Sequence, residues 1–404
     1  MITKFHIENF KCLRDVTVEL KPLTVLIGKN DTGKTSFLEA LGALIGLASG
    51  EPTSILYENT LENLICRGSD TRRIALGATI VPSPRAAIPG TAQYRLTLGL
   101  DGTATQIEDE HLSVEGMDTS ITRSADGQSA TLRADGHDDL VSSDPMSGGL
   151  GRVVVLSHMA TLKKVPMART LVNALTGAPP YRFNPQRLTD PGVFSPSRAN
   201  PGALPRLSFN GEGLSSVLDY LLGTSRKAFD QLERELSEAV PQVKGIQVKP
   251  VPSQTQSGMK GISFELAGGH IIPATSASDG VLFLLAYLTL IHAPGAPAVI
   301  RLEEPENGIH PRQLERVAGY LKRLTDPSRG ANAAQIVVAT HSPYFLDFVP
   351  PESVIVFGRR ENGDTVTAPI LDLPGVKERI ASGFSLGEMW FNVGEDELLQ
   401  DLLK

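Results

Sequence analysis

Residues 2–7 and 16–20 alternate apolar and polar positions, the period of half-buried strands, and residues 23–27 form a short, mostly apolar run that stops at a glycine. From Thr35 onward the segment SFLEALGALIGLA carries apolar residues at helical spacing. Three strands, a glycine loop and a helix therefore open the chain. Between about 72 and 155 the composition shifts to Thr, Ala, Gly, Asp and Ser, with alternating stretches such as 94–100 that predict antiparallel strands joined by turns. Residues 182–205 are dense in proline, asparagine and arginine, and helical periodicity resumes over 214–222 and 228–239, predicting an inserted helical region. From Ser278 the pattern is α/β: an apolar helix to Ile291, a strand over 298–302, a helix over 311–324, and strands over 335–339 and 354–357. The tail beyond Arg359 is polar, with one aromatic cluster near Trp390.

This pattern divides the chain into residues 1–70 (strands, glycine loop and helix), 71–155 (a β-rich lobe), 156–270 (a helical insertion), 271–360 (the second part of the α/β core) and 361–404 (a tail completing it). No repeat of fixed period stands out, and no a/d heptad persists over three or four repeats, which excludes a long coiled-coil arm.

The 404 residues, 41% of them hydrophobic, suffice for one large domain or two modest ones. A formal charge of −7 excludes a uniformly basic surface for gripping nucleic acid, leaving room only for a local patch. Cys12 and Cys66 lack the spacing of a zinc site or a disulfide framework and read as reduced thiols. The first ten residues contain no secretory apolar segment, and the longest apolar run, 281–291, falls short of the roughly 18 residues of a membrane span. A cytoplasmic protein without a membrane partner is expected.

Gly28-Lys29-Asn30-Asp31-Thr32-Gly33-Lys34-Thr35, followed by Ser36, matches the phosphate-loop spacing G-x-x-x-x-G-K-[ST]. The two glycines let backbone N–H groups wrap phosphate oxygens, and the following helix presents its positive end to the same anion. Lys34 is expected to reach the β- and γ-phosphates of ATP, and Thr35 to give its hydroxyl to Mg²⁺. A second cluster follows an apolar strand at Glu303-Glu304-Pro305-Glu306, where the proline turns the chain out of the sheet. Glu303 is expected in the Mg²⁺ shell through water, and Glu304 as the base that orients or deprotonates the attacking water. Taken alone, this stretch is also good turn chemistry. Another apolar strand delivers His341 at its C-terminal end, the edge where open α/β sheets bind ligands, so His341 is expected at the γ-phosphate or the attacking water. His310 lies past the carboxylates, where a helix start, a dimer contact and catalysis all remain open. Ser278, with Asp279 and Gly280, opens an apolar helix and makes either a second anion site or an ordinary N-cap.

The segments N-F-K-C-L-R (9–14), S-A-S-D-G (276–280), E-E-P-E-N-G-I-H-P (303–311) and A-T-H-S-P (339–343), in this order around a phosphate loop, resemble the ABC-type P-loop ATPases of the RecF, SMC and OLD group. The resemblance covers both ends of the chain and implies an ABC-ATPase-like head: a mixed or parallel P-loop sheet, an antiparallel β lobe and an inserted helical region. It implies ATP and Mg²⁺ as cofactors and a homodimer or higher oligomer closed around ATP, with Ser278 and Gly280 acting on the other subunit's nucleotide. It also places Lys11 and Arg14 near the nucleotide. Residues 383–391 (GFSLGEMWF) are similar to the tail of stand-alone bacterial ATPases of the OLD-like group, which are encoded beside a separate effector in phage-defence operons. That implies control of a separately encoded nuclease or toxin; the alternative is a RecF-like repair or chromosome-maintenance ATPase that binds DNA directly. A transporter subunit would carry a signature closer to L-S-G-G-Q. Related OLD nucleases carry a TOPRIM domain after the ATPase, whereas residues 342–404 are fewer than a typical domain of about 100–150 residues. The chain itself is therefore expected not to cut nucleic acid. Two departures bear on the hydrolysis rate: Arg301 interrupts the apolar strand before the carboxylates, and no glutamine marks a Q-loop.

Overall fold

The computed structural model describes residues 1–50, 55, 60–82, 88–102, 104–123, 129–134, 137–142, 154–161, 165–177, 180–192, 204–251, 258–393 and 397–400. It divides into two compact units, one formed by residues 1–177 with 350–404 and the other by residues 178–349. Of the proline-rich stretch 182–205, residues 193–203 lie outside the described residues.

In the first unit, strands Leu13–Glu19, Ile2–Phe10, Ile74–Ile80, Ala92–Asp101 and Ala104–Val114 make one antiparallel sheet in that order. A smaller meander joins Thr119–Arg123, Ser129–Ala134 and His137–Ser142. The wholly buried strand Leu23–Ile27 runs parallel to Val354–Arg359, which pairs antiparallel with Thr365–Pro369. Helix Lys34–Ser49 follows Leu23–Ile27 and is apolar on most of its circumference, as a helix covered on several sides must be. Its Phe37 meets Phe5 of the antiparallel sheet and Phe357 of the parallel pair edge-on, at centroid distances of 5.3 and 5.7 Å. At the far end of the lobe, the buried Glu110 accepts from the Tyr94 hydroxyl (3.0 Å), Arg123 (2.7 Å) and the backbone N–H groups of Val155 and Leu156 (2.8 and 3.0 Å). A sheet carboxylate thus satisfies the open donors of helix Val155–Thr161.

In the second unit, Val299–Glu303 runs parallel to Gln335–Thr340, with helix Pro311–Leu324 as the connection between them. Tyr181 adds a parallel bridge at Leu302. Helix Asp279–His292 is buried along nearly its whole length, and helices Leu214–Thr224 and Arg226–Ala239 complete the helical part. The stretch expected to be a helical insertion also supplies strands: Val243–Pro250 and Lys260–Leu266 form an antiparallel sheet with Ile271–Pro273. Their alternation is short and broken by glycine and lysine, so the stronger helical periodicity before them masks it. Among the described residues no helix is long and apolar enough to cross a membrane.

Three helices of this unit meet at Glu235, which is 8% exposed. It accepts from Arg323 (2.6 and 3.1 Å) and Gln231 (2.9 Å), and His292 Nε2 lies 3.2 Å away. Burial alone would raise the carboxyl pKa, but the hydrogen bonds of His292, Arg323 and Gln231 outweigh it and hold the group far below its ordinary 4.5. A carboxylate whose folded pKa is depressed contributes its stability above the unfolded value and loses it as pH falls through the acid range. Glu235→Ala should therefore cost roughly 1–3 kcal/mol at pH 7. In urea melts that deficit should shrink below about pH 4.5; a deficit constant from pH 7 to pH 3 would show that the ionised carboxylate is not its source.

Candidate functional site

The phosphate loop is built where strand Leu23–Ile27 ends. A Cβ on Gly28 would stand 2.2 Å from the Phe357 carbonyl oxygen, so no larger residue fits against the neighbouring strand. Gly33, at φ +101°, would place a Cβ 2.6 Å from Thr365 Oγ1 and 3.0 Å from Cys12 Sγ. The loop is pinned at its turn: Thr365 donates to the Thr32 carbonyl (2.9 Å), Arg359 to the Asp31 carbonyl (3.1 Å), and the Thr32 hydroxyl to the Lys29 carbonyl (2.9 Å). Lys29, Asn30 and Asp31 face outward, Asp31 in the left-handed region at φ 63°.

Lys34 is only 4% exposed, and its Nζ donates to the carbonyls of Gly28 (2.6 Å) and Lys29 (2.7 Å), so the ammonium lies across the mouth of the loop. Thr35 is exposed and Ser36 half-buried on the first turn. That helix start carries no side-chain cap and no acidic residue in its first turn, leaving the macrodipole and first-turn N–H groups to an external anion. An exposed hydroxyl, a buried ammonium and a helix end without a side-chain cap fit a Mg²⁺-bound triphosphate. Lys11 pairs with Glu39 of the same helix, and Arg14 Nε reaches both carboxylate oxygens of Asp364 (3.0 and 2.9 Å), which raises the Arg14 pKa. Both cysteines are free; burial pushes the Cys66 thiol up to about 11.

The carboxylate cluster lies in the second unit. Glu303 ends its strand half-buried, with its N–H bonded to the Tyr181 carbonyl (2.9 Å). Glu304 then turns sharply, at φ 48°, while its N–H donates to the Ala339 carbonyl at 2.8 Å. One Glu304 oxygen accepts from Arg182 (3.0 Å) and Asn307 (2.5 Å); the other lies 3.9 Å from His341 Nε2. The structure therefore brings Glu304 and His341 together. Arg301 is buried, 6% exposed, within the same strand. His310 is a helix cap: its Nδ1 accepts from the Arg312 N–H at 3.2 Å, with Pro311 as the first helical residue.

Ser278 sits at the N-cap of helix Asp279–His292, yet its exposed side chain makes no capping hydrogen bond. Gly280, the second residue of that helix, would place a Cβ 3.7 Å from the Gly308 carbonyl, an ordinary contact, so packing within the unit does not demand glycine there. Gly308 itself, at φ +70°, would drive a Cβ to 2.3 Å from the Phe283 ring. The signature segment and the acidic turn are thus neighbours.

Residues 1–76 match the family described as "AAA ATPase domain", and residues 164–347 the family described as "AAA domain, putative AbiEii toxin, Type IV TA system". Along 99% of this chain, and 70% of the other protein, the sequence is 22% identical to an OLD nuclease of Thermus scotoductus. The fold is similar to that of an SMC head solved bound to the C-winged helix domain of ScpA, with a TM-score of 0.56, 13% identity, and coverage of 94% of this chain and 99% of that one. The chain is thus similar to P-loop ATPases of the RecF, SMC and OLD group.

Sequence reading missed the residues that arrange the carboxylates. Arg182 is one: it sits in the proline-, asparagine- and arginine-rich stretch and is aimed by the bridge of Tyr181 to Leu302. Thr340 and Glu306, hydrogen-bonded at 2.7 Å, are others. Asn307 could have been found, since a side-chain amide three residues after a carboxylate is common turn chemistry.

Gly28 of the phosphate loop and Gly280 of the signature segment make opposite demands. Gly28→Ala should destabilise the first unit by about 1–3 kcal/mol through forced displacement of the Phe357 backbone. Gly280→Ala should leave stability unchanged or raise it by up to about 1 kcal/mol, the helical preference of alanine. Thermal melts of the two variants check this, and equal losses would contradict it.

Proposed function

We propose that the chain binds and hydrolyses Mg-ATP, closes into a dimer around the nucleotide, and through that cycle controls a separately encoded effector of the phage-defence type. The observation that carries the reading is the phosphate loop itself: Lys34 buried across the loop mouth, before a helix end with neither side-chain cap nor first-turn acid. In this reading, the loop N–H groups and Lys34 hold the β- and γ-phosphates, and Thr35 and Glu303 hold Mg²⁺, Glu303 through water. Mg²⁺ held there would supply neutralisation of the charge developing on the phosphate oxygens. Glu304 takes the proton of the attacking water, and His341, 3.9 Å from that carboxylate, contacts the γ-phosphate or the water. The hydrogen bond from Arg182 supports a Glu304 carboxylate held in a fixed orientation.

Dimerisation is supported by Ser278, an exposed helix-start hydroxyl not used for capping, and by Gly280, which internal packing does not require. Both suit a second subunit's phosphate approaching that helix end. Control of a separate effector rests on the resemblance of residues 383–391 to stand-alone OLD-like ATPases.

Lys34→Ala should lose tight Mg-ATP binding, and Glu304→Gln should retain it while hydrolysing about 10²–10⁴-fold more slowly. Glu304→Gln should then accumulate as an ATP-bound dimer in sedimentation, and adding Ser278→Arg to it should abolish association without abolishing ATP binding. Undiminished ATP affinity in Lys34→Ala would overturn the site; association unaffected by Ser278→Arg would reduce that segment to a helix start.

A further inference from the structure

The acidic turn carries a third carboxylate that the proposed chemistry does not use. Glu306 lies two residues beyond Glu304, and its Oε1 accepts from both the Thr340 hydroxyl (2.7 Å) and the His341 N–H (3.0 Å). Its other oxygen, Oε2, is buried with no hydrogen-bond partner among the described residues. A half-paired buried carboxylate is a poor choice for stability, since desolvating the free oxygen costs more than a well-packed neutral group would. The neighbouring contacts show what it does there. Glu304 N–H donates to the Ala339 carbonyl (2.8 Å), Glu306 takes the two donors at 340 and 341, and the Tyr287 hydroxyl donates to the Pro305 carbonyl (3.3 Å). Glu304 and Glu306 thereby tie the turn to the strand end that carries His341, and Tyr287 ties it to helix Asp279–His292.

We propose that Glu306 is a positioning residue for ATP hydrolysis: it fixes the backbone of His341, and so the direction of its ring, relative to the Glu304 carboxylate. The inference rests on the Mg-ATP reading. The strand Gln335–Thr340 ends one residue before His341, so the His341 N–H is held by the Glu306 side chain instead of by a continuing strand. Without that acceptor the histidine N–H and the buried Thr340 hydroxyl lose their shared partner. The strand end then drifts, and a displacement of about 1 Å in a catalytic constellation can cost about 10²-fold in rate.

Glutamine keeps an acceptor oxygen of the same shape for both donors, whereas alanine keeps none. In steady-state assays Glu306→Ala should lower kcat by about 10²-fold with ATP affinity changed less than about threefold, and Glu306→Gln should restore kcat to within about tenfold of wild type. Because the residue acts through His341, the double variant Glu306→Ala/His341→Ala should hydrolyse no more slowly than His341→Ala alone. Thr340→Val, which removes one of the two donors, should give a smaller loss of the same kind; it carries the test if Glu306→Ala does not fold. With wild type active and Lys34→Ala inactive, three results each overturn the inference and leave the ATPase reading standing: wild-type kcat in Glu306→Ala and Thr340→Val, losses that multiply in the double variant, or Glu306→Gln as slow as Glu306→Ala. A wild-type chain that neither binds nor hydrolyses ATP overturns the reading, and this inference with it.

Discussion

Backbone N–H groups can surround a phosphate only where no side chain stands between them and the anion, and that constraint organises the first unit. Strand Val354–Arg359, distant in sequence, lies directly beside strand Leu23–Ile27, and its Phe357 carbonyl leaves no room for a Cβ at Gly28. The loop keeps its shape because Thr365 and Arg359 bind its outward carbonyls, and the helix behind it is anchored by Phe37 between Phe5 and Phe357. Packing, register and turn chemistry all serve one rigid cradle closed by the buried Lys34.

The second unit meets a different constraint. Three carboxylates within four residues, Glu303, Glu304 and Glu306, repel one another and must each be compensated or left to solvent. Glu304 is compensated by Arg182 and Asn307, and Glu306 by donors on the neighbouring strand. These compensating contacts are also what set His341 beside Glu304. Electrostatic compensation and the placing of His341 beside Glu304 are met here by the same hydrogen bonds.

The phosphate loop was legible in the sequence because every fixed position answers a local backbone demand, visible within eight residues. The ends of the parallel strands were legible for the same reason: an apolar run stopped by Glu303-Glu304-Pro305 or by His341-Ser342-Pro343. His310 resolved as a cap by a feature already in the sequence, the proline after it. What stayed hidden depends on long separations. Arg182 contacts a carboxylate 122 residues away, Glu110 caps a helix 45 residues later, and Glu235 holds an arginine 88 residues on. Nor does periodicity reveal that residues 350–404 cluster with 1–177, since the apolar run at 354–357 reads no differently from the one at 335–339.

The central claim is that one chain's phosphate loop and its carboxylate–histidine cluster serve a single Mg-ATP. Hydrogen exchange read by mass spectrometry on the Glu304→Gln chain, with and without Mg-ATP, tests it most directly. The account predicts slowed exchange at residues 28–36 and, at the same ATP concentrations, at residues 303–307 and 339–342, with both effects absent when Lys34 is also replaced by alanine. Protection confined to the phosphate loop, with the carboxylate turn and the His341 strand end exchanging as they do without nucleotide, would contradict it.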